Sequence, residues 1–389
     1  MSPSEPRLQL LDCANKNQTS KPMNSRRSDT DDTYKRKKGM ICQLPWDVLD
    51  EITQTLDFED LFQFSGVCKN WRTFHKSNFL SSQEPLLVEI WYSRYPRWGP
   101  KCFNSLSNKK VYNLDKIMNE RYKITPTYIT YSSGYFVILE DKFTFQLHNP
   151  FTRTKKVIYN TSSPFELTYP FAAYRALLAF EKGSDQEFVL LVVCKKSGTL
   201  GVYQSRNNAW VAYSTPVKPE VVSHEVVFNN MIYVVTNMGN IGVLSLNSPN
   251  IKFLNLNNTP NLHFLYHNLY LLNCDDQLLM VALDFFKNKV YKIDGSTMSY
   301  FKLKNLGDVA LFCIETKTCI ALSNPNRWGY ESNSVYALAD PYIECRMYNW
   351  NRRSSTKYIE IPSPRGYISE YNDWCFRHLK YEVDYSLVD

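Results

Sequence analysis

The sequence predicts a multidomain α + all-β protein: a small N-terminal helical unit followed by a β-propeller of six blades, with seven blades as the alternative. Three observations predict it. Between Leu44 and Phe74, apolar residues recur at three- and four-residue spacing, the pattern of amphipathic helix. From Pro85 onward the texture changes to short apolar runs broken by Asn, Asp, Gly, Ser and Pro, as in all-β domains. Those runs group into four-strand units that recur at about 40 to 50 residues, which is the sign of a propeller.

In the helical stretch, Leu44, Val48, Leu49, Ile52 and Leu56 share one face, while Asp47, Asp50, Glu51, Gln54 and Thr55 take the other. Pro45 suits the first turn, where its missing N–H is not needed, and the early carboxylates complement the helix dipole. Asp57 is a good N-cap for a second segment in which Leu61, Phe64, Val67, Cys68, Trp71 and Phe74 continue the spacing. Lys69, Arg72 and Lys76 cluster towards its end, where cations are favoured. A unit of about 35 residues is small to fold alone, so a partner that completes its core is physically reasonable.

These residues carry a resemblance. Leu44-Pro45, Val48-Leu49, Ile52, Leu56, Leu61, Val67-Cys68 and Trp71 are similar, position for position, to the F-box motif. The resemblance implies that these ten residues dock onto the Skp-type adaptor of an SCF ubiquitin ligase and, through it, reach a cullin. The competing reading makes them the core of a helical bundle. The domain expectation is then a basic tail at 1–40, an F-box at 41–84 and a propeller at 85–389.

Five four-strand units begin at residues 128, 174, 225, 263 and 308, with first strands read at 263–267 in the fourth and 308–314 in the fifth. Strand-like runs at 86–91, 102–106 and 111–114, with a closing strand at 374–379, make a sixth blade that joins the two ends of the domain. Such closure hides sheet edges that otherwise invite aggregation. With 13 glycines and no Gly-Gly pair the kelch pattern is missing, and Trp-Asp occurs once, at Trp46-Asp47. His148-Asn149-Pro150-Phe151-Thr152, Gly307-Asp308-Val309-Ala310-Leu311-Phe312 and Asn333-Ser334-Val335-Tyr336 instead resemble the C-terminal domain, long of unknown function, of a large group of plant F-box proteins. Ala337 departs from that family's usual aromatic, a matter of packing.

The first forty residues are polar and aperiodic, which predicts disorder. Nine basic residues against five acidic ones place +4 of the net +7 there, so the basic balance belongs to the tail and does not point to a nucleic-acid surface on the folded part. Lys35, Arg36, Lys37 and Lys38 form either a nuclear-import signal or a solvated linker run. With no apolar stretch of about 18 residues and a polar N-terminus, the expectation is a soluble protein of nucleus or cytoplasm, without membrane contact. Ten cysteines lack any CxxC pair, which argues against a zinc site, and several sit in apolar strand-like runs, where a free cysteine behaves as a small hydrophobe in a reducing compartment. His263 and His267, four residues apart on a strand, would stand about 13 Å from each other, too far to share a metal.

No nucleophile elbow, P-loop, dinucleotide turn, HExxH or EF-hand spacing is present. Asp275-Asp276 and Glu140-Asp141 read as turn residues. The expectation is therefore no catalytic residue, no metal and no cofactor, in a substrate receptor whose propeller holds the protein to be ubiquitinated. The alternative is an interaction module outside any ligase, with a propeller enzyme or sugar binder as a third reading. Residues 323–333 read as a long insertion whose Arg327, Trp328 and Tyr330 are hot-spot types for the substrate, set against Trp328 simply packing on its own blade. Residues 91–101 interleave Arg and aromatics as a nucleic-acid strand would want, but Arg–aromatic contacts are common structural features, and no nucleic acid is expected.

Overall fold

The computed structural model describes residues 44–56, 60, 64, 66–78, 85–92, 98–107, 109–113, 127–141, 144–150, 154–159, 174–194, 198–213, 220–260, 269–283, 288–314, 317–338, 344–361, 368–376 and 379–387. The tail at 1–40 lies outside them. Helix α1 (Trp46–Thr55) begins directly after Pro45, with Asp47 in its first turn, and ends where Leu56 turns extended. Helix α2 (Lys69–Asn78) follows a turn at Gly66 and Val67, so the predicted second segment is interrupted there. Leu49, Phe64 and Phe74 form the buried centre, with Leu44, Ile52, Leu56 and Trp71 packed around it. Phe64 stacks on Trp71 at 4.4 Å between ring centroids.

The remaining described residues form six sheets. In chain order the strands are β1 (Leu86–Tyr92), β2 (Trp98–Ser105) and β3 (Lys110–Asn113) of blade 1, then β4 (Thr127–Ser132), β5 (Tyr135–Asp141), β6 (Thr144–Asn149) and β7 (Thr154–Tyr159) of blade 2. Blade 3 holds β8 (Tyr174–Glu181), β9 (Phe188–Cys194), β10 (Leu200–Gln204) and β11 (Ala209–Tyr213). Blade 4 holds β12 (Val222–Phe228), β13 (Met231–Thr236), β14 (Ile241–Leu244) and β15 (Ile251–Phe253), and blade 5 holds β16 (Leu269–Cys274), β17 (Gln277–Ala282), β18 (Lys289–Asp294) and β19 (Ser299–Leu303). Blade 6 holds β20 (Val309–Ile314), β21 (Cys319–Ser323), β22 (Ser334–Leu338), β23 (Glu344–Asn349) and β24 (Arg352–Glu360), and the chain ends with β25 (Ile368–Cys375) and β26 (Glu382–Val383).

Strand alternation explains how six separate sheets make one body. Along a strand, successive side chains point to opposite faces. On β8, Tyr174, Ala176, Leu178 and Phe180 enter the seam with blade 2, while Leu177 and Ala179 enter the seam with blade 4. The same division continues through the seams of blades 4 and 5, 5 and 6, and 6 and 1. Both faces of a blade are therefore covered, which is why β8 and β9 read as nearly continuous apolar runs.

Three departures from the sequence reading concern strand order. The closing strand is β25 at Ile368–Cys375, not 374–379; it pairs antiparallel with β1 from Leu86↔Cys375 to Tyr92↔Ile368. In blade 6 the innermost strand is β21, followed by β20 and then β22 parallel to it, so 308–314 is the second strand from the axis. β21 escaped notice because it is short and, at the channel wall, only partly buried. In blade 5 the inner strand is β16; residues 263–267 lie outside the described residues. A disulfide joins Cys313 to Cys319, against the expectation that cysteines in the apolar runs are free: the hairpin between β20 and β21 sets the two directly opposite each other. Asp275 and Asp276 are turn residues as read, both left-handed between β16 and β17.

Blade 1 carries a buried acid. Glu89 on β1 accepts a hydrogen bond from Asn104 Nδ2, and Cys102 Sγ lies 3.9 Å from its Oε2. Burial pushes its carboxyl from an ordinary 4.5 up to about 7, against the lowering effect of these two bonds. Because the folded value is raised, the stabilisation is complete below about pH 4.5 and is lost as the pH rises through 7. The loss amounts to about 3 kcal/mol. Asn104 Oδ1 has no hydrogen-bond partner, so the added amide of Glu89→Gln can meet it. Urea midpoints measured from pH 5 to 8 should fall more steeply for the native chain than for Glu89→Gln; equal slopes would refute the assignment.

Candidate functional site

Two regions are candidates: the surface of the helical unit and the mouth of the propeller channel. The ten predicted docking residues do not share one environment. Leu49 is fully buried, and Leu44, Ile52, Leu56 and Trp71 pack around it. Val48 and Cys68 are half-buried and Pro45 is exposed, whereas Val67 is 52% exposed on the turn between the two helices. Leu61 lies outside the described residues, as do Lys35, Arg36, Lys37 and Lys38. Trp46, passed over in the sequence because it is out of step with the apolar spacing, is 48% exposed. Its ring meets Phe74 edge-on at 5.8 Å. An indole held by a core residue while half of it faces solvent is a preformed contact surface.

The propeller channel is bounded by β4, β8, β12, β16 and β21, each packed against the next, and by β25, which packs against β4 on one side and β20 of blade 6 on the other. No backbone ladder joins these inner strands, so polar side chains bridge them. Ser132 Oγ accepts from Leu178 N at 3.0 Å, and Ser133 Oγ donates to Leu178 O at 2.6 Å. Ser223 Oγ donates to Leu269 O, His224 Nδ1 lies 3.1 Å from Leu271 O, and Asn273 Nδ2 donates to Val227 O at 3.2 Å. Partners on β12 and β16 advance together, so those two strands run the same way and end on one face.

Charged groups concentrate inside. Arg175 Nη2 and Glu225 Oε2 stand 2.8 Å apart with both side chains nearly fully buried. Asp373, on the closing strand, accepts from Tyr128 Oη, Thr130 Oγ1 and Tyr131 N at 3.0, 2.9 and 2.8 Å. Its other oxygen accepts from Thr318 Oγ1 at 3.2 Å. Burial outweighs these donors and holds the Asp373 carboxyl above its usual range. The chain end then crosses the propeller: Phe180 N donates to Tyr381 O, Lys182 N to Val383 O and Asp384 N to Asn230 O. Burial first, and the carboxylates of Glu225 and Asp373 second, push the Tyr381 phenol up to about 12.

At the end reached by β16, a cavity of about 610 Å³ opens, its wall including Thr130, Glu225, Asn273, Asp275, Arg327 and Tyr381. The predicted trio at 323–333 divides here. Arg327 and Trp328 belong to the cavity wall, Arg327 exposed and Trp328 half-buried. Tyr330 is 3% exposed, edge-on to Phe312 and Tyr336, and donates to Pro85 O. It is core rather than contact surface. Asn333 fixes the exit of this loop: left-handed, it receives Leu306 N on its side chain and donates its own N–H to Val309 O. Among the described residues, no group of three or more His, Cys, Asp or Glu is placed to hold a metal ion, and no helix is long and apolar enough to cross a membrane.

Family comparison matches the F-box domain over residues 41–80 and the KIB1-4 β-propeller over residues 103–371. No curated protein matches the chain. Similar solved structures include a luciferin-regenerating enzyme, at 9% identity over 68% of this chain and 82% of that one with a TM-score of 0.32. A quinonprotein alcohol dehydrogenase-like protein from Bacteroides thetaiotaomicron, at 9% identity, covers 74% of this chain and 78% of its own with a TM-score of 0.39. The computationally designed Ika4 protein, at 15% identity, covers 45% and 95% with a TM-score of 0.28. These likenesses are too distant to bear on function. The family match spans more than half of the chain and coincides with the six blades just described, so the protein belongs to the KIB1-4 β-propeller family and carries an N-terminal F-box domain.

Proposed function

We propose that this protein is the substrate-recognition subunit of an SCF-type ubiquitin ligase, acting in the nucleus or cytoplasm. The observation that carries the reading is the union, in one chain, of an F-box with exposed apolar side chains and a closed propeller. The F-box docks on the Skp-type adaptor and so on the cullin, and the propeller holds the protein to be ubiquitinated. Transfer is accelerated by position, because a tethered lysine meets the charged conjugating enzyme at high effective concentration. The chain itself then supplies no catalytic residue and needs no cofactor.

Each apolar docking side chain buried on the adaptor contributes about 1.5–3 kcal/mol, so removing several abolishes binding. Leu44→Ala with Pro45→Ala and Val48→Ala should lose adaptor and cullin in a pull-down while the propeller keeps its melting transition. Because Leu44 also packs on the helical core, Val67→Asp serves as a second variant, its side chain being exposed. Adaptor binding unchanged in both variants would sink the docking assignment. Absence of adaptor and cullin from the native chain would instead favour an interaction module outside the ligase.

A further inference from the structure

Most of the charge around the channel cavity is already neutralised. Glu225 is taken up by Arg175, and Lys380 is held by Asp185 and Glu382 at 2.7 and 3.1 Å. Among the described residues, three charged groups of the cavity wall are not in ion pairs: Asp275, Asp276 and Arg327. The two aspartates occupy the tight turn closed by the Cys274↔Gln277 pair, with φ of 47° and 55°, and both are exposed. A turn locked by strand pairing presents its carboxylates at fixed positions, which lowers the ordering cost of binding. On the neighbouring blade, Arg327 rides on a 3-10 turn bracketed by left-handed Asn324 and Gly329, its guanidinium 5.3 Å from the Trp328 ring centre. Among the described residues, the mouth is thus an open cavity of peptide-accommodating size, with two exposed carboxylates outside ion pairs against one such guanidinium, neutral hydrogen-bonding groups on Asn273 and Ser323, and a half-buried indole.

We infer that this mouth is where the propeller receives its partner protein, through an extended segment that places a lysine or arginine side chain against Asp275 and Asp276. The inference rests on the receptor reading above and adds to it the chemistry of the segment recognised. The cation is steered and paired by the two exposed carboxylates. Its aliphatic stem covers the free part of Trp328, as long basic side chains do on apolar surface. Arg327, on the other flank, repels a second cation and so sets where the basic residue falls in the segment.

The test is a positional-scanning peptide library, probed with the full chain in complex with adaptor. The native protein should select lysine or arginine at one position. Asp275→Asn with Asp276→Asn should lose about three- to tenfold in binding to the selected peptides, the range for two exposed charge pairs. Asparagine tolerates the left-handed backbone of both positions, so the variant keeps the turn. Arg327→Glu should strengthen the same peptides several-fold, and raising the salt should weaken them in the native chain. Selection of acidic or phosphorylated residues, no selection at all, or basic selection indifferent to the double variant would each overturn the inference. Adaptor copurification from the same preparations separates the two readings. Adaptor retained without basic selection condemns the cavity assignment alone, and basic selection without adaptor condemns the ligase assignment alone.

Discussion

Asp373→Ala should open the propeller at its closure and lower its unfolding free energy by about 4 kcal/mol. The carboxylate sits on β25, the strand that returns from the chain end to pair with β1. From there it accepts bonds from Tyr128, Thr130 and Tyr131 of blade 2 and from Thr318 in the hairpin of blade 6. One side chain thus ties blade 1 to both of its neighbours. Truncation leaves a tyrosine hydroxyl, a threonine hydroxyl and a backbone N–H buried, and each such orphan costs about 1–3 kcal/mol before relaxation. Asp373→Asn keeps one oxygen and should lose roughly half as much, since hydroxyls can turn to accept where an N–H cannot. Urea or thermal midpoints of the three chains decide it, and a native midpoint for Asp373→Ala would refute the role.

Arg175→Ala should destabilise the propeller by about 3–5 kcal/mol, the effect of leaving one charge of a buried pair alone. The pair joins inner strands β8 and β12 across a seam with no backbone ladder of its own. Glu225, left behind, would be a buried carboxylate without its cation. The double replacement Arg175→Met with Glu225→Leu should recover most of the loss, because exchanging a whole buried pair for apolar groups is often neutral or better. The measurement is the same midpoint series. A single variant as stable as the native chain, or a double variant worse than the single, would show that the pair does not act as argued.

What the sequence determined by itself is what depends on near neighbours. The apolar spacing from Leu44 onward places helix α1 directly after Pro45. Alternation and turn residues mark most of the strands, down to Asp275 and Asp276 at a left-handed turn, and their recurrence counts six blades. The insertion at 323–333 was legible as a loop, with two of its side chains at the cavity. Its third residue, Tyr330, looked the same in the sequence and is core, because Phe312 and Tyr336 happen to stand where it folds back.

Only the tertiary structure decided the ends of the ring and the polar interior. That β25 closes blade 1, and not a later segment, is decided by its ladder with β1 from Leu86↔Cys375 to Tyr92↔Ile368, strands nearly 300 residues apart in the chain. The bonds from blade 2 to Asp373 span more than 240 residues of chain, and the Arg175–Glu225 pair spans 50. The physical reason is common to both. Helical and strand periods are set by the backbone of each residue and its immediate neighbours, so they are written locally. A closed ring brings inner strands from six blades to one axis, and which charges meet there depends on the closure rather than on any spacing along the chain.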